Sequence, residues 1–105
     1  MYRRNRMMVI TREQAGTTLV ISLHGKLDTA AAPAVEAEIR KGLSGVKKLC
    51  WNFEDLDYLT SAGFRVLLIA ESMLDDDAEM KVYHANDIVK NAFNLTNLTY
   101  LLARE

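Results

Sequence analysis

The fold of this chain is decided by one stretch of sequence, NFEDLDYLTSAGFRVLL at residues 52–68, in which a strand gives way to a helix. The apolar run from Leu49 to Phe53 predicts a buried strand. A short polar and aromatic connection follows, and the apolar residues between Phe64 and Ala70 then recur at helical spacing. Thr60 or Ser61 therefore falls at the N-cap of the predicted helix.

Two explanations of Ser61 follow from this position. A side-chain oxygen at an N-cap accepts a hydrogen bond from the free N–H groups of the first helical turn, which is a purely structural role. The unpaired donors and the partial positive charge of a helix N-terminus also favour a phosphate on the same hydroxyl. The local sequence is compatible with both roles.

The same residues carry a family resemblance. The segment Asn52-Phe53-Glu54-Asp55-Leu56, the aromatic Tyr58 and the turn Thr60-Ser61-Ala62-Gly63, with the earlier Gly25-Lys26-Leu27-Asp28, resemble a STAS domain of the bacterial anti-sigma-factor antagonist type. The resemblance implies one α/β domain over residues 1–105, with helices packed against a mixed central β-sheet. It also implies that Ser61 is phosphorylated by a partner anti-sigma factor that acts as a serine kinase. One position differs, since Thr60 stands where the family often has Asp.

The resemblance further implies where a partner binds. In the family the Gly-x-Leu-Asp turn lies at the same end of the sheet as the phosphorylated serine, so Asp28 would share a surface with Ser61. That carboxylate would repel a phosphate on Ser61, so phosphorylation would have a stronger effect on partner binding. The residues expected at the partner-binding surface are Gly25, Asp28, Asp55, Asp57, Tyr58, Thr60, Ala62, Gly63 and Arg65. The structural alternatives are a helix cap for Asp28 and ordinary loop solubility for Asp55 and Asp57.

The composition fits one small binding domain. A chain of 105 residues can bury one core but is too short for two ordinary domains. Thirteen Lys and Arg against 14 Asp and Glu leave a net charge of −1, which recruits neither nucleic acid nor an anionic membrane, so the expected partner is a protein. No apolar stretch approaches the ~20 residues of a membrane span, and Thr11 to Gln14 leave no room for the apolar core of a signal peptide. We therefore expect a cytoplasmic protein, and the single cysteine, Cys50, fits a reducing compartment because it cannot form an internal disulfide.

The predicted elements alternate between strand and helix, which favours α/β layering. Residues 1–7 are expected to be a flexible N-terminal segment, and residues 8–24 alternate as a hairpin around Ala15-Gly16. The strand from Lys47 to Phe53 is apolar enough to be buried on both faces at the centre of the sheet. The remaining predictions are a helix from Ala30 to Leu43 capped by Asp28 or Thr29, a helix from Ala62 to Leu74, a strand from Met80 to His84, a helix from Asn86 to Leu95 and a short strand from Thr99 to Ala103.

No residue pattern supports catalysis or cofactor binding. His24 and His84 have no partners at metal-ligand spacing, and Cys50 lies in the most apolar strand as a small buried hydrophobe. The run from Asp75 to Asp77 lacks the glycine-punctuated loop and the distal Glu of a calcium site. The five glycines form no phosphate-binding loop. We therefore expect no enzyme, no metal site and no cofactor.

The expected function is a binding module that a phosphate switches. The unphosphorylated protein would dock its Ser61 face on an anti-sigma factor and free the sigma factor, and phosphorylation would oppose docking. A serine phosphatase is a further expected partner. The alternatives are a STAS subunit of a lipid-handling ABC transporter and a scaffold of a stress-signalling assembly, which need no phosphate switch. An enzyme is the remaining alternative.

The oligomeric state depends on the C-terminal region. The family usually adds a C-terminal helix after the last strand, and none is predicted here. An open sheet edge would then lie beside a sticky apolar surface, formed by Leu95, Leu98, Leu101 and Leu102. The terminal charges Arg104-Glu105 protect such an edge from pairing, so we expect a monomer or a weak homodimer.

Overall fold

The computed structural model describes residues 8–105, which form a five-stranded sheet and three α-helices. The strands are β1 Val9–Ala15, β2 Thr18–Leu27, β3 Lys48–Asn52, β4 Leu56–Leu59 and β5 Glu79–Tyr83. The helices are α1 Ala32–Arg40, α2 Ser61–Met73 and α3 Asp87–Leu95, and a 3-10 helix follows at Thr99–Leu101. The segment of residues 1–7, which is expected to be flexible, lies outside the described residues.

The sheet is mixed, as the sequence predicts, and its strand order is β1-β2-β3-β5. β1 and β2 form an antiparallel hairpin in which Ala15 pairs with Thr18. Between them Gly16 has φ +61°, the conformation that favours glycine at the first central position of a type II′ turn. β3 pairs in parallel with both β2 and β5, so it lies inside the sheet. β4 pairs in parallel with the end of β2, from Gly25 to Leu27.

All three helices contribute side chains to one core on one face of the sheet. Alternate residues of β2, namely Leu19, Ile21 and Leu23, are fully buried in this core. Phe64 of α2 meets Phe93 of α3 edge to face, with the ring centroids 4.9 Å apart. This aromatic pair joins the helix after β4 to the helix after β5.

The prediction that β3 is buried on both faces is wrong. Leu49 and Trp51 are fully buried, whereas the alternate residues Lys48, Cys50 and Asn52 are only half-buried. The helices share one face of the sheet, so the opposite face of β3 remains partly accessible to water. An apolar run in the sequence does not distinguish one buried face from two.

α1 is shorter than the predicted helix from Ala30 to Leu43. Its start is delayed by a turn in which the N–H of Ala32 donates to the backbone carbonyl of Asp28 at 2.9 Å. At its other end Gly42 has φ +133°, which breaks the helical path two residues after Arg40. The glycine that ends the helix is therefore Gly42, which lies inside the predicted range.

The sequence does not predict β4. Its outer residues Leu56 and Leu59 are buried, and Asp57 and Tyr58 between them are exposed. This pattern is neither a strict alternation nor a continuous apolar run, which are the signals of a strand. β4 forms because the end of β2 offers it a pairing edge. The bounds of α2, α3 and β5 lie within one residue of the predicted ones.

The predicted terminal strand from Thr99 to Ala103 is wrong. Thr99–Leu101 form a 3-10 helix, and one parallel bridge then joins Leu102 to Val82 of β5. The N–H of Ala103 donates to the Val82 carbonyl at 2.8 Å. The last residues therefore cover part of the β5 edge without forming a strand of their own.

The four leucines expected on a sticky surface have different environments. Leu101 is fully buried, Leu98 and Leu102 are half-buried, and only Leu95 is largely exposed, at 78%. A monomer or weak homodimer stays a prediction. Self-association through the edge of a terminal strand has no basis, because residues 8–105 contain no strand after β5.

Glu38 connects α1 to β1 and gives a prediction for the pH dependence of stability. Its carboxylate lies 3.1 Å from Lys41 Nζ and 3.0 Å from Arg12 Nη1. The hydrogen bond from Lys41, reinforced by Arg12, holds the pKa of Glu38 below its usual value of 4.5, although burial opposes the shift. Because the folded-state pKa is the lower one, this stabilisation is complete above pH 4.5 and is lost as the pH falls through the folded-state pKa.

The free energy of unfolding, measured by urea titration, should therefore fall less steeply below pH 4.5 in Glu38→Gln than in the unmodified protein. Glu36→Gln is the matched control, because the Glu36 carboxylate pairs with the exposed Arg40 on the same helix. Parallel pH curves for Glu38→Gln and the unmodified protein would contradict the expectation.

Candidate functional site

The candidate site lies where β2 and β4 end and α2 begins. Leu27 pairs with Leu59, and the N–H of Thr60 donates to the Leu27 carbonyl at 3.0 Å. Asp28 follows Leu27 in the chain, and Ser61 follows Thr60. Two parallel strand ends therefore bring Asp28 and Ser61 to the same edge of the sheet.

Ser61 is the first residue of α2 and is exposed. The N–H groups of Gly63 and Phe64 donate to the Thr60 carbonyl at 2.9 and 3.1 Å. Among residues 8–105, no protein acceptor binds the N–H groups of Ser61 and Ala62. An accessible hydroxyl thus lies beside two of the unpaired donors that a helix N-terminus provides.

Thr60 is the N-cap residue of α2, and its backbone is extended. Its side chain makes no capping hydrogen bond, and its hydroxyl oxygen is buried without a hydrogen-bond partner in the described part of the chain. Ser61 lies one residue inside the helix. The capping role that the sequence allows for Ser61 is therefore not realised, and its hydroxyl remains accessible.

Gly63 allows the first turn of α2 to approach β2 closely. A Cβ atom at this position would lie 2.8 Å from Leu27 Cγ and 2.9 Å from the Leu27 carbonyl oxygen, both closer than real Cβ contacts. Gly63 is buried and Ala62 is half-buried. Both residues are expected at the partner-binding surface, but the buried Gly63 contributes by letting α2 pack closely on β2 and not by direct exposure.

Gly25 and Asp28 shape the end of β2. Gly25 is buried and has φ +119°, and the β2–β4 register shifts directly after it. Its N–H donates to the carbonyl of Asp55 at 3.0 Å. Asp28 is half-buried, and its Oδ1 accepts from the N–H of Ala31 at 3.0 Å. The capping bond predicted for Asp28 is present, although it closes the turn before α1 and not the helix itself.

Charged and aromatic side chains lie along the paired strands β2 and β4, which lead to the α2 N-terminus. Asp55, Asp57 and Tyr58 are all exposed. Nδ1 of His24 lies 2.9 Å from a carboxylate oxygen of Asp55, and the ammonium of Lys26 lies 5.9 Å from the centroid of the Tyr58 ring. β2 and β4 together therefore build a polar surface on the strand pair that leads into Ser61.

Asn86 holds β4 in place, and the sequence analysis did not single it out. Its side-chain amide donates to the carbonyls of Leu56 at 3.2 Å and Asp57 at 3.1 Å, and its Oδ1 accepts from the N–H of Val89 at 2.8 Å. The bond to Val89 is an N-cap for α3, which an Asn directly before a helix indicates. The bonds to β4 join distant parts of the chain, and no local pattern indicates them.

An open groove of about 490 Å³ begins at Ser61 and follows α2. Its lining is mostly apolar and includes the exposed side chain of Leu68. The groove is lined by Ser61, Phe64, Arg65, Leu68, Ile69, Ser72, Thr96 and Leu98. The sequence predicted Arg65 at the site but not its apolar neighbours, because Leu68 fits the helical pattern of the core. The groove extends the site away from the sheet edge.

Other candidate chemistry lies away from this site. Between residues 8 and 105, no group of three His, Cys, Asp or Glu residues could hold a metal ion. In the same range no helix has the length and apolarity to cross a membrane. Burial raises the pKa of the Cys50 thiol, which disfavours the reactive thiolate. Nδ1 of His84 lies 2.8 Å from a carboxylate oxygen of Glu105, and neither residue lines the groove.

The chain is similar to known proteins over most of its length. The model of the STAS domain family matches residues 9–102. The chain belongs to the STAS domain family. One relative of this STAS domain is BtrV of Bordetella bronchiseptica, whose name gives it as an anti-sigma factor antagonist. The two sequences are 28% identical over 91 residues, which cover 85% of this chain and 78% of the relative.

Solved structures share the fold of this STAS domain. An anti-sigma factor antagonist from Mycobacterium paratuberculosis has a TM-score of 0.81 at 21% identity, over 90% of this chain and 82% of that chain. The Bacillus cell fate determinant SpoIIAA in its phosphorylated form has a TM-score of 0.72 at 23% identity, over 90% of this chain and 89% of that chain. The predicted α/β STAS fold is confirmed.

Proposed function

We propose that this STAS domain is an anti-sigma factor antagonist that binds its partner through the surface around Ser61. The observation that carries the proposal is an exposed hydroxyl at the start of α2, beside two unpaired N–H groups and at the end of an apolar groove. The name of the Bordetella relative supports the same class of function. The protein acts in the cytoplasm by binding another protein, and not by catalysis.

Two kinds of surface meet at Ser61 and together suit a protein partner. The ends of β2 and β4 contribute the polar side chains of Asp28, Asp57 and Tyr58, and the groove contributes apolar side chains such as Leu68. Protein interfaces commonly combine an apolar centre, which supplies binding energy, with polar residues that supply specificity. A bound anti-sigma factor would cover both surfaces and release its sigma factor.

Phosphorylation of Ser61 would end this binding. An anti-sigma factor that acts as a serine kinase would add about −1.5 to −2 charges to the middle of the docking surface. The phosphate would lie near the carboxylate of Asp28 and would have to be desolvated under the partner. SpoIIAA, which shares the fold, has been solved in unphosphorylated and phosphorylated forms, and this supports the switch. A serine phosphatase would restore the binding form.

The test is a binding assay with a candidate anti-sigma factor of the serine-kinase type, sought first among the products of neighbouring genes. Without ATP, the unmodified protein should bind the kinase-type anti-sigma factor. With ATP, it should gain one phosphate at Ser61, located by peptide mass spectrometry, and its affinity should fall roughly tenfold or more. Ser61→Ala should gain no phosphate and should bind equally well with and without ATP.

Ser72→Ala is the matched control, because Ser72 is an exposed serine that lines the same groove. It should respond to ATP as the unmodified protein does. Phosphate found on Thr60 or Ser72, or ATP-dependent release of Ser61→Ala, would refute Ser61 as the switch. Binding that resists phosphorylation altogether would favour a transporter subunit or a scaffold.

A further inference from the structure

Arg65 lies one helical turn after Ser61, and both residues line the groove. Residues four apart on a helix face each other, with Cβ atoms about 5–6 Å apart. Arg65 is exposed and forms no ion pair with any of residues 8–105. Its other helix neighbours at this spacing, Ala62, Leu68 and Ile69, carry no charge. Along α2, only a charged group on Ser61 could therefore pair with Arg65.

The same protein already contains the geometry that such a pair requires. In α1, Arg40 lies four residues after Glu36, the same spacing and order as Arg65 and Ser61. Both Nε and Nη2 of Arg40 donate to one carboxylate oxygen of Glu36, at 3.0 and 2.8 Å. An arginine at this position can thus reach back one turn and hold an anion with two donors.

We propose that Arg65 is the counter-charge of phosphoserine at position 61 and holds the phosphate against the first turn of α2. This inference rests on the proposed phosphorylation of Ser61. Guanidinium and phosphate form two parallel charge-assisted hydrogen bonds, and phosphate oxygens not used by Arg65 face the unpaired N–H groups of Ser61 and Ala62. The kinase transfers the phosphoryl group from ATP to the Ser61 hydroxyl and releases ADP. Arg65 takes no part in that transfer and only binds the phosphate afterwards.

The pair would strengthen the switch in a specific way. In the unphosphorylated protein, Arg65 presents a free positive charge at the groove that a partner carboxylate can bind. Phosphorylation then adds negative charge and neutralises Arg65 in the same step, so two attractive features of the docking surface change together. Lys26 and Asp57 are the charged residues in the last three positions of β2 and β4, and Asp28 follows β2. The two carboxylates oppose the phosphate that Arg65 favours.

The test uses full-length protein in which phosphoserine is incorporated at position 61 by codon suppression, so that no kinase is required. The phosphorus NMR shift, followed against pH, gives the second pKa of the phosphate, which is about 6 in a free phosphoserine. Arg65 stabilises the dianion, so Arg65→Gln should raise that pKa by about 0.5, as expected for an exposed pair four residues apart.

Two control variants make the result specific. Lys90→Gln removes the same charge from the exposed face of α3 and should leave the pKa unchanged. Arg65→Lys keeps the charge without the paired donors and should give an intermediate pKa. The proposal is overturned if the phosphate has the same second pKa in Arg65→Gln, in Lys90→Gln and in the phosphoprotein without either substitution. A kinase that does not phosphorylate Ser61 would refute only the proposed function. It would leave the pairing with Arg65 testable, because codon suppression introduces the phosphoserine without a kinase.

Discussion

Gly63→Ala is expected to lower the free energy of unfolding by about 2 kcal/mol or more, a large effect for one methyl group. The new Cβ would lie 2.8 Å from Leu27 Cγ and 2.9 Å from the Leu27 carbonyl oxygen. The Leu27 side chain is fully buried, and its carbonyl accepts from the N–H of Thr60, so neither atom can move aside at low cost. The first turn of α2 must therefore shift away from β2, and Ser61 must shift with it.

Urea denaturation of Gly63→Ala and Gly16→Ala would separate this clash from ordinary backbone strain. A Cβ at Gly16 meets no atom within 4 Å, so that variant should cost only the strain of φ +61°, about 1 kcal/mol. Gly63 has no such positive φ, and its cost comes from the contact with Leu27 alone. An unfolding midpoint of Gly63→Ala equal to that of the unmodified protein would show that α2 can approach β2 without a glycine.

The parts of the fold that sequence predicts are those that local patterns specify. The change from a strand around Leu49 to a helix from Ser61 can be predicted because each element has its own pattern of apolar residues. The strand is a continuous apolar run, and the apolar residues of the helix recur at helical spacing. The hairpin turn is readable because Gly16 is the residue that its backbone conformation favours. The family motif adds the expectation that Asp28 and Ser61 share one edge, and the parallel pairing of Leu27 with Leu59 brings them there.

The parts that sequence does not predict depend on distant partners. β4 has the pattern Leu-Asp-Tyr-Leu, which resembles a loop, and it becomes a strand only against the end of β2. The apolar residues near Leu101 suggested a strand, but a 3-10 helix buries that side chain just as well. The groove combines Leu68 of α2 with Leu98 beyond α3, residues that are 30 positions apart. Such contacts have no signature in either segment alone.

Asn86→Ala should combine a loss of stability with a loosening of β4. The variant removes the N-cap bond to Val89, worth about 1 kcal/mol, and the two amide bonds to the carbonyls of Leu56 and Asp57. The Leu56 residue is buried, so its carbonyl regains water only if β4 moves outward. We expect the free energy of unfolding to fall by roughly 2 kcal/mol.

Asn86→Ser separates the two roles of this side chain, because a serine hydroxyl can still cap α3 but is too short to reach β4. It should recover about 1 kcal/mol of the stability that Asn86→Ala loses. Amide hydrogen exchange should nevertheless be faster in both variants at Gly25 and Thr60, whose N–H groups donate between β2 and the β4 segment. Unchanged exchange at these two amides in Asn86→Ser would mean that β2 alone positions β4. Faster exchange would show that α3, through one asparagine, holds the strand that leads into Ser61.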